Sequence, residues 1–407
     1  MRYAVGVMRW LSGTCVLVIG AASAVAQQGC TTDTAGALVR QRQGELLRQK
    51  IRGMEIKVPP MVRTQVGALK DALVKAVDES MRCAIVSEGA AAMEATLAKR
   101  LDANQPEKPF TPQAGEIDEL EDGVYGATLK VAVSTPANAQ QLRAVEVSFG
   151  IECGDDTVLM LYEAKSEGWR RVLRWQSPEY ADISGAFGDL FAYAVIPGAM
   201  TSEMRMVVAH GTPWCTSRFS GFAIDVLAPA VHGDTPRVVW HTARGYSRGD
   251  FATSLRATRD GFELRINEPT MDANVFERTV VYHYRISGDH VERIEPIALN
   301  GRGFVEEWLD MPWDEAKGQT SVDAAEPMKI VHDRYSESQK DTKTFVSYSY
   351  GPVRACLVKG RYEVEMDADP GGPQYFAIKQ GQNGYTMVNF GTTQDERCGG
   401  PDLMKRH

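Results

Sequence analysis

A serine between two glycines, Gly245-Tyr246-Ser247-Arg248-Gly249, and a histidine followed by glycine, His210-Gly211, have the most specific spacing for chemistry in this chain. A serine presented on a tight turn attacks a carbonyl once a base takes its proton, and backbone N–H groups at a neighbouring turn hold the oxyanion that forms. A second grouping is Glu306-Glu307-Trp308-Leu309-Asp310-Met311-Pro312-Trp313-Asp314-Glu315. Carboxylates beside indole rings suit the binding or cleavage of a sugar, since sugars stack on Trp and a paired acid and base break the glycosidic bond. The plainer reading is an exposed turn or short helix anchored to a β core by Trp308 and Trp313, and it is the one adopted.

The serine pattern, with Met206-Val207-Val208-Ala209-His210-Gly211-Thr212-Pro213 upstream, resembles the nucleophile elbow and His-Gly turn of the α/β-hydrolases. The resemblance covers these two patches, not the chain. It implies Ser247 as nucleophile, His210-Gly211 beside the oxyanion hole, and His283, His290 or His332, downstream as that family's chain order requires, as base, on a parallel sheet with a helix directly after the serine. The surrounding residues point elsewhere. Asp250 to Arg259 reads as strand before a turn at Asp260-Gly261, and the two patches are only about thirty residues apart, little room for a strand–helix crossover.

Asp367-Ala368-Asp369-Pro370-Gly371 begins like a calcium loop, yet it lacks the third acidic ligand and has Ile378 where the closing Glu belongs, so it reads as a turn. The histidines at 210, 232, 241, 283, 290, 332 and 407 show no metal-binding spacing, and no glycine-rich phosphate loop follows an apolar strand. Neither a cofactor nor a metal is expected. With 45 Lys and Arg against 53 Asp and Glu, a net charge of −8 excludes a generic nucleic-acid binder.

Arg2 and Arg9, an apolar stretch from Trp10 to Ile19, and Ala24-Val25-Ala26 read as a secretory signal over residues 1–26, cut after Ala26. No later stretch is apolar enough to span a bilayer, so a periplasmic or secreted protein is expected, without a membrane span once the signal is removed. Beyond Cys15, six cysteines remain, and an even number in an exported chain suggests disulfides. They fall two by two into three sections, which predicts Cys30 with Cys83, Cys153 with Cys215, and Cys356 with Cys398.

These residues must be carried by elements, and the hydrophobic period changes along the chain. In a helical N-terminal region, 27–105, Val62, Val66, Leu69, Leu73 and Val77 recur at helical steps after Pro59-Pro60. Prolines and acids over 106–122 read as a linker. From 123 to 316 the period is two: Val145, Val147, Phe149 and Ile151 alternate with Ala144, Glu146, Ser148 and Gly150, and a turn is expected at Gly154-Asp155-Asp156. Further hairpins turn at Asp260-Gly261 and Ser287-Gly288-Asp289. A polar stretch, 317–327, reads as a second linker, and 328–407 as a small C-terminal β module with a turn ending in Asn383-Gly384. The fold class expected is mainly β with a helical N-terminal region (α+β overall), its central domain an antiparallel sandwich or small propeller. The function expected is binding, of a protein or glycan, or a structural role in the cell envelope; the alternative is an extracellular hydrolase using Ser247 or the carboxylates near Trp308.

Overall fold

The computed structural model describes residues 33–50, 58–105, 125–151, 154–178, 190–211, 219–230, 235–247, 253–340 and 346–404. The chain is mainly antiparallel β with a helical N-terminal region. Three helices come first: α1 (Thr34–Leu46), α2 (Pro60–Cys83) and α3 (Ala90–Leu101). Proline suits the first position of α2, where no intrahelical N–H bond is needed. The expected stripe Val62, Val66, Leu69, Leu73 and Val77 is buried.

That stripe packs on a sheet of β1 (Ala127–Ser134), β2 (Leu142–Ile151), β3 (Gly154–Lys165) and β4 (Gly168–Gln176), paired in chain order. Val131 and Val133 of β1, Val145, Val147 and Phe149 of β2, and Val158, Met160 and Tyr162 of β3 share one core with the helices. The turn expected at 154–156 is instead the start of β3, with Ile151 opposite Gly154. Asp156 can sit in a buried strand because Lys70 of α2 neutralises it, Nζ lying 3.2 Å from its carboxylate.

Two more four-stranded meanders follow. The second sheet holds β5 (Phe191–Ile196), β6 (Arg205–Gly211), β7 (Phe219–Ala228) and β8 (Arg237–Ser247); the third holds β9 (Ser254–Ala257), β10 (Gly261–Pro269), β11 (Glu277–Ser287) and β12 (His290–Arg293). Leu142, Ala144, Leu159, Leu161 and Leu173 of the first sheet pack on Val195, Met206, Val208 and Leu227 of the second. The second sheet's other face, with Val207, Ala209, Phe222 and Ile224, packs on Phe262, Leu264, Val280 and Tyr282 of the third. The expected hairpin turns at 260–261 and 287–289 join β9 to β10 and β11 to β12. Gly261 has no substitute, because a Cβ there would come within 1.9 Å of the Tyr284 carbonyl oxygen.

The C-terminal part is a fourth meander, β13 (Ser347–Ala355), β14 (Arg361–Asp369), β15 (Gly372–Gln380) and β16 (Tyr385–Gly391). It packs against α4 (Gly301–Asp310), α5 (Trp313–Gly318) and α6 (Ala325–Lys340). Residues 317–327, read from sequence as a linker, instead hold the end of α5, a 3-10 turn and the start of α6. Thr320 and Ala324 are buried there, and Lys317, Gly318, Val322, Asp323, Glu326 and Pro327 are exposed. Cys356 and Cys398 are disulfide-bonded as expected. Cys83 is also disulfide-bonded, and Cys30, Cys153 and Cys215 lie outside the described residues, as do the signal segment and the 106–122 linker.

Candidate functional site

The interface between the first and second sheets changes character along its strands. Successive residues on one face of a strand are two apart, so the face that carries Leu142 and Ala144 continues through Glu146 and Ser148. On β3 the same face runs from Leu161 and Leu159 to Thr157 and Asp155, on β5 from Val195 to Tyr193 and Phe191, and on β6 from Met206 and Val208 to His210. The apolar end is closed. The polar end opens as a cleft of about 630 Å³, lined among others by Glu146, Ser148, Trp175, Phe191, Tyr193 and His210.

An aromatic wall forms one side, with ring centroids 5.5 Å apart for Trp175 and Phe191 and 6.2 Å for Phe191 and Tyr193. Behind it Asp225 of β7 fixes three groups: the Trp175 indole N–H donates to Oδ2 at 2.9 Å, His210 Nε2 lies 3.3 Å from Oδ2, and His241 Nδ1 lies 2.7 Å from Oδ1. Burial alone would raise the Asp225 carboxyl, but its bonds to His210, His241 and Trp175 outweigh that and hold it down to about 2. The Tyr193 hydroxyl shares a 2.6 Å hydrogen bond with Ser134, and burial pushes its titration up. Glu146 differs from all of these. It is half-buried, faces the cleft and has no hydrogen-bond or ion-pair partner among the described residues; burial and the charge of Asp155 push its carboxyl up.

A second set of carboxylates lies where α4 meets the third sheet. Glu307 receives Arg278 Nη1 at 2.7 Å and Arg293 Nη1 at 2.6 Å. Glu306 accepts the Met271 backbone N–H at 2.7 Å and the Thr270 hydroxyl at 2.9 Å, with Arg278 Nε at 3.2 Å. Glu268 accepts from the Tyr282 hydroxyl, and the Arg293 guanidinium lies over the Tyr282 ring, 4.7 Å from its centroid. Burial and the neighbouring Glu307 charge raise Glu268; for Glu307 itself burial is outweighed by Arg293 and Arg278, which lower it. Glu268, Glu307 and Asp310 lie close enough to share a cation, but the Arg278 guanidinium already supplies one, with Nη2 3.7 Å from Glu268 and 4.0 Å from Asp310.

The residues singled out in the sequence are distributed between these places. His210 lines the cleft. Ser247 is the last residue of β8, opposite Phe219, whereas His210 belongs to the row Phe191, His210, Ala223, Ala243. At ~3.3 Å per residue and ~4.8 Å per strand their backbones are roughly 16 Å apart, so the structure does not bring them together. Both ring nitrogens of His210 face protein acceptors, Asp225 and the Gly211 carbonyl. Of the candidate bases, His283 bonds the Glu295 carbonyl at 2.7 Å, His290 is exposed beside Glu292, and His332 is buried in α6 with Nε2 2.8 Å from the Met311 carbonyl. The next described element after Ser247 is strand β9, not a helix.

Glu306 and Glu307 fall on α4, which is buried rather than exposed: their residues are 4% and 1% accessible. A helix enclosed on both sides needs partners for its acids, and Arg278 and Arg293 provide them. Trp308 is a packing residue, fully buried, its indole N–H donating to Ala316 O at 3.1 Å and Thr320 Oγ1 at 2.9 Å. Ile378 is likewise in the core. Sequence reading missed Glu146, Trp175, Tyr193 and Asp225 as site residues. Their one signal was a polar residue interrupting the large-apolar face of a strand, as Glu146 does after Leu142 and Ala144.

Among the described residues no helix is long and apolar enough to cross a membrane. Compared with models of protein families, with curated proteins and with solved structures, the chain matches none.

Proposed function

We propose that this is an exported, non-enzymatic binding protein and that the cleft between its first two sheets receives a small ligand. Clefts of a few hundred Å³ with an apolar wall and few polar groups are the usual form of a small-molecule site. The observation that carries the reading is Glu146, a carboxylate kept half-buried at the cleft with no hydrogen-bond or ion-pair partner among the described residues. Desolvating a charge is costly unless something pairs with it, and a bound ligand of opposite charge would lower that cost. The cavity of about 590 Å³ beside α2 and α3 is less suited, since its Arg100 is already paired with Asp33 and Glu79. Export is supported by the basic–apolar–small order of residues 1–26 and by the Cys356–Cys398 disulfide.

The test is a thermal-shift screen of glycans and small metabolites on the mature protein, repeated on Glu146→Ala and Tyr193→Ala. Compounds that raise the melting temperature of the wild type and of neither variant bind in the cleft. Stabilisers that act equally on all three place binding elsewhere, and a screen without any stabiliser removes the reading.

A further inference from the structure

Resting on that reading, we infer that the ligand is a small organic cation, held by its ammonium group between the Glu146 carboxylate and the aromatic wall of Trp175, Phe191 and Tyr193. Charge balance is the first argument. Among the described residues lining the cleft there are two carboxylates, Glu146 and Asp155, and neither Lys nor Arg. The cations nearby are already committed: Lys130 lies 3.5 Å from Asp155, and Lys70 sits on the helix side of the first sheet, bonded to Asp156 and, at 2.8 Å, to the Ser177 carbonyl. Asp225 adds a further negative charge behind His210 and Trp175. Among the described residues an anion entering here would meet carboxylates and no free counter-charge, and a neutral ligand would leave Glu146 without an opposite charge.

The second argument is the kind of cation. A hard metal ion such as Ca²⁺ takes 6–8 oxygen ligands, and among the described residues Glu146 is the one unpaired carboxylate at the cleft. An alkylated ammonium is weakly hydrated and is stabilised by ring faces within about 6 Å. Trp175, Phe191 and Tyr193 form a continuous aromatic surface with adjacent centroids 5.5 and 6.2 Å apart. Burial and the charge of Asp155 push the Glu146 carboxyl up, and a bound cation favours its ionised form.

Calorimetric titration of the mature protein with tetramethylammonium, choline and spermidine tests this, alongside 3,3-dimethylbutan-1-ol, the uncharged carbon isostere of choline. At least one cation binds, and choline binds roughly tenfold more tightly than its isostere. Glu146→Gln removes that advantage without lowering the melting temperature, and Tyr193→Ala weakens the cation further. Equal binding of choline and isostere, lost together in Tyr193→Ala, overturns the cation and leaves the cleft as a binding site. Failure of all three cations to bind at about 10 mM overturns the inference, whereas cleft binding in general stands or falls by the thermal-shift screen. Binding of Ca²⁺ that displaces the organic cations, or cation binding unchanged in both variants, also refutes it.

Discussion

The second sheet has a polar region at each of its faces, and the two are built oppositely. Toward the third sheet, Phe222, Ile224, Phe262 and Leu264 give way to Glu268, Glu306 and Glu307, and the guanidiniums of Arg278 and Arg293 occupy the space between the acids. Toward the first sheet, Leu142, Ala144, Val208 and Val195 give way to Glu146, His210 and Tyr193, and the space between them is open. Both regions hold a carboxylate that burial pushes up, Glu268 in one and Glu146 in the other. Perturbed ionisation therefore does not by itself mark a site. What separates them is whether the described residues supply a counter-charge. The closed cluster is held together by its own ion pairs; in the open one the described residues leave Glu146 without such a pair.

The largest effect expected is at the closed cluster. Glu307→Ala leaves Arg278 and Arg293 facing each other in a buried place, and breaking a buried pair in this way costs about 3–5 kcal/mol. Urea denaturation should show the loss, and a variant as stable as the wild type would mean that the cluster is not structural. Next comes Asp225, which orders the wall of the open region. Its carboxyl is held down to about 2, below the ordinary Asp value of about 3.9, so its contribution is present above the unfolded pKa and lost as pH falls from about 4 towards 2. That amounts to about 2 kcal/mol. Asp225→Asn should lose this increment at pH 6 and show a flatter stability curve below pH 4, measured by chemical denaturation across pH. Tyr193→Phe, which deletes the hydrogen bond to Ser134, should cost about 1 kcal/mol.

How much of this could be read from the chain follows from the same comparison. The stripe from Val62 to Val77 and the hairpins at Asp260-Gly261 and Ser287-Gly288-Asp289 are local patterns, and the structure has them where the pattern puts them. The acids at Glu306 and Glu307 stood out because they are adjacent. Their meaning depended on Arg278 and Arg293, which pairing and packing bring to them from β11 and β12. The open region was harder still. Glu146, Trp175, Tyr193 and Asp225 come from β2, β4, β5 and β7, and sheet stacking alone makes them neighbours. Ser247 and His210 show the converse: a spacing with chemical meaning on one fold is separated by register on another.

The smallest effect expected is the sharpest discriminator, because its sign differs from that at Glu307. A carboxyl whose folded-state pKa is raised is harder to ionise in the folded protein than in the unfolded chain, so the wild type loses stability as pH climbs from the unfolded pKa through the folded one. Glu146→Gln removes that ionisation, and Glu146 has no hydrogen bond or ion pair among the described residues to forfeit. The variant should therefore match the wild type at pH 3.5 (about one unit below the unfolded value) and be slightly more stable than it at neutral pH. Paired denaturation curves at the two pH values measure the difference. A variant that is less stable at neutral pH would show that Glu146 has a protein partner, and the open region would then be of the same kind as the closed one. Stability gained by removing a charge is the mark of a group whose position serves something other than the fold.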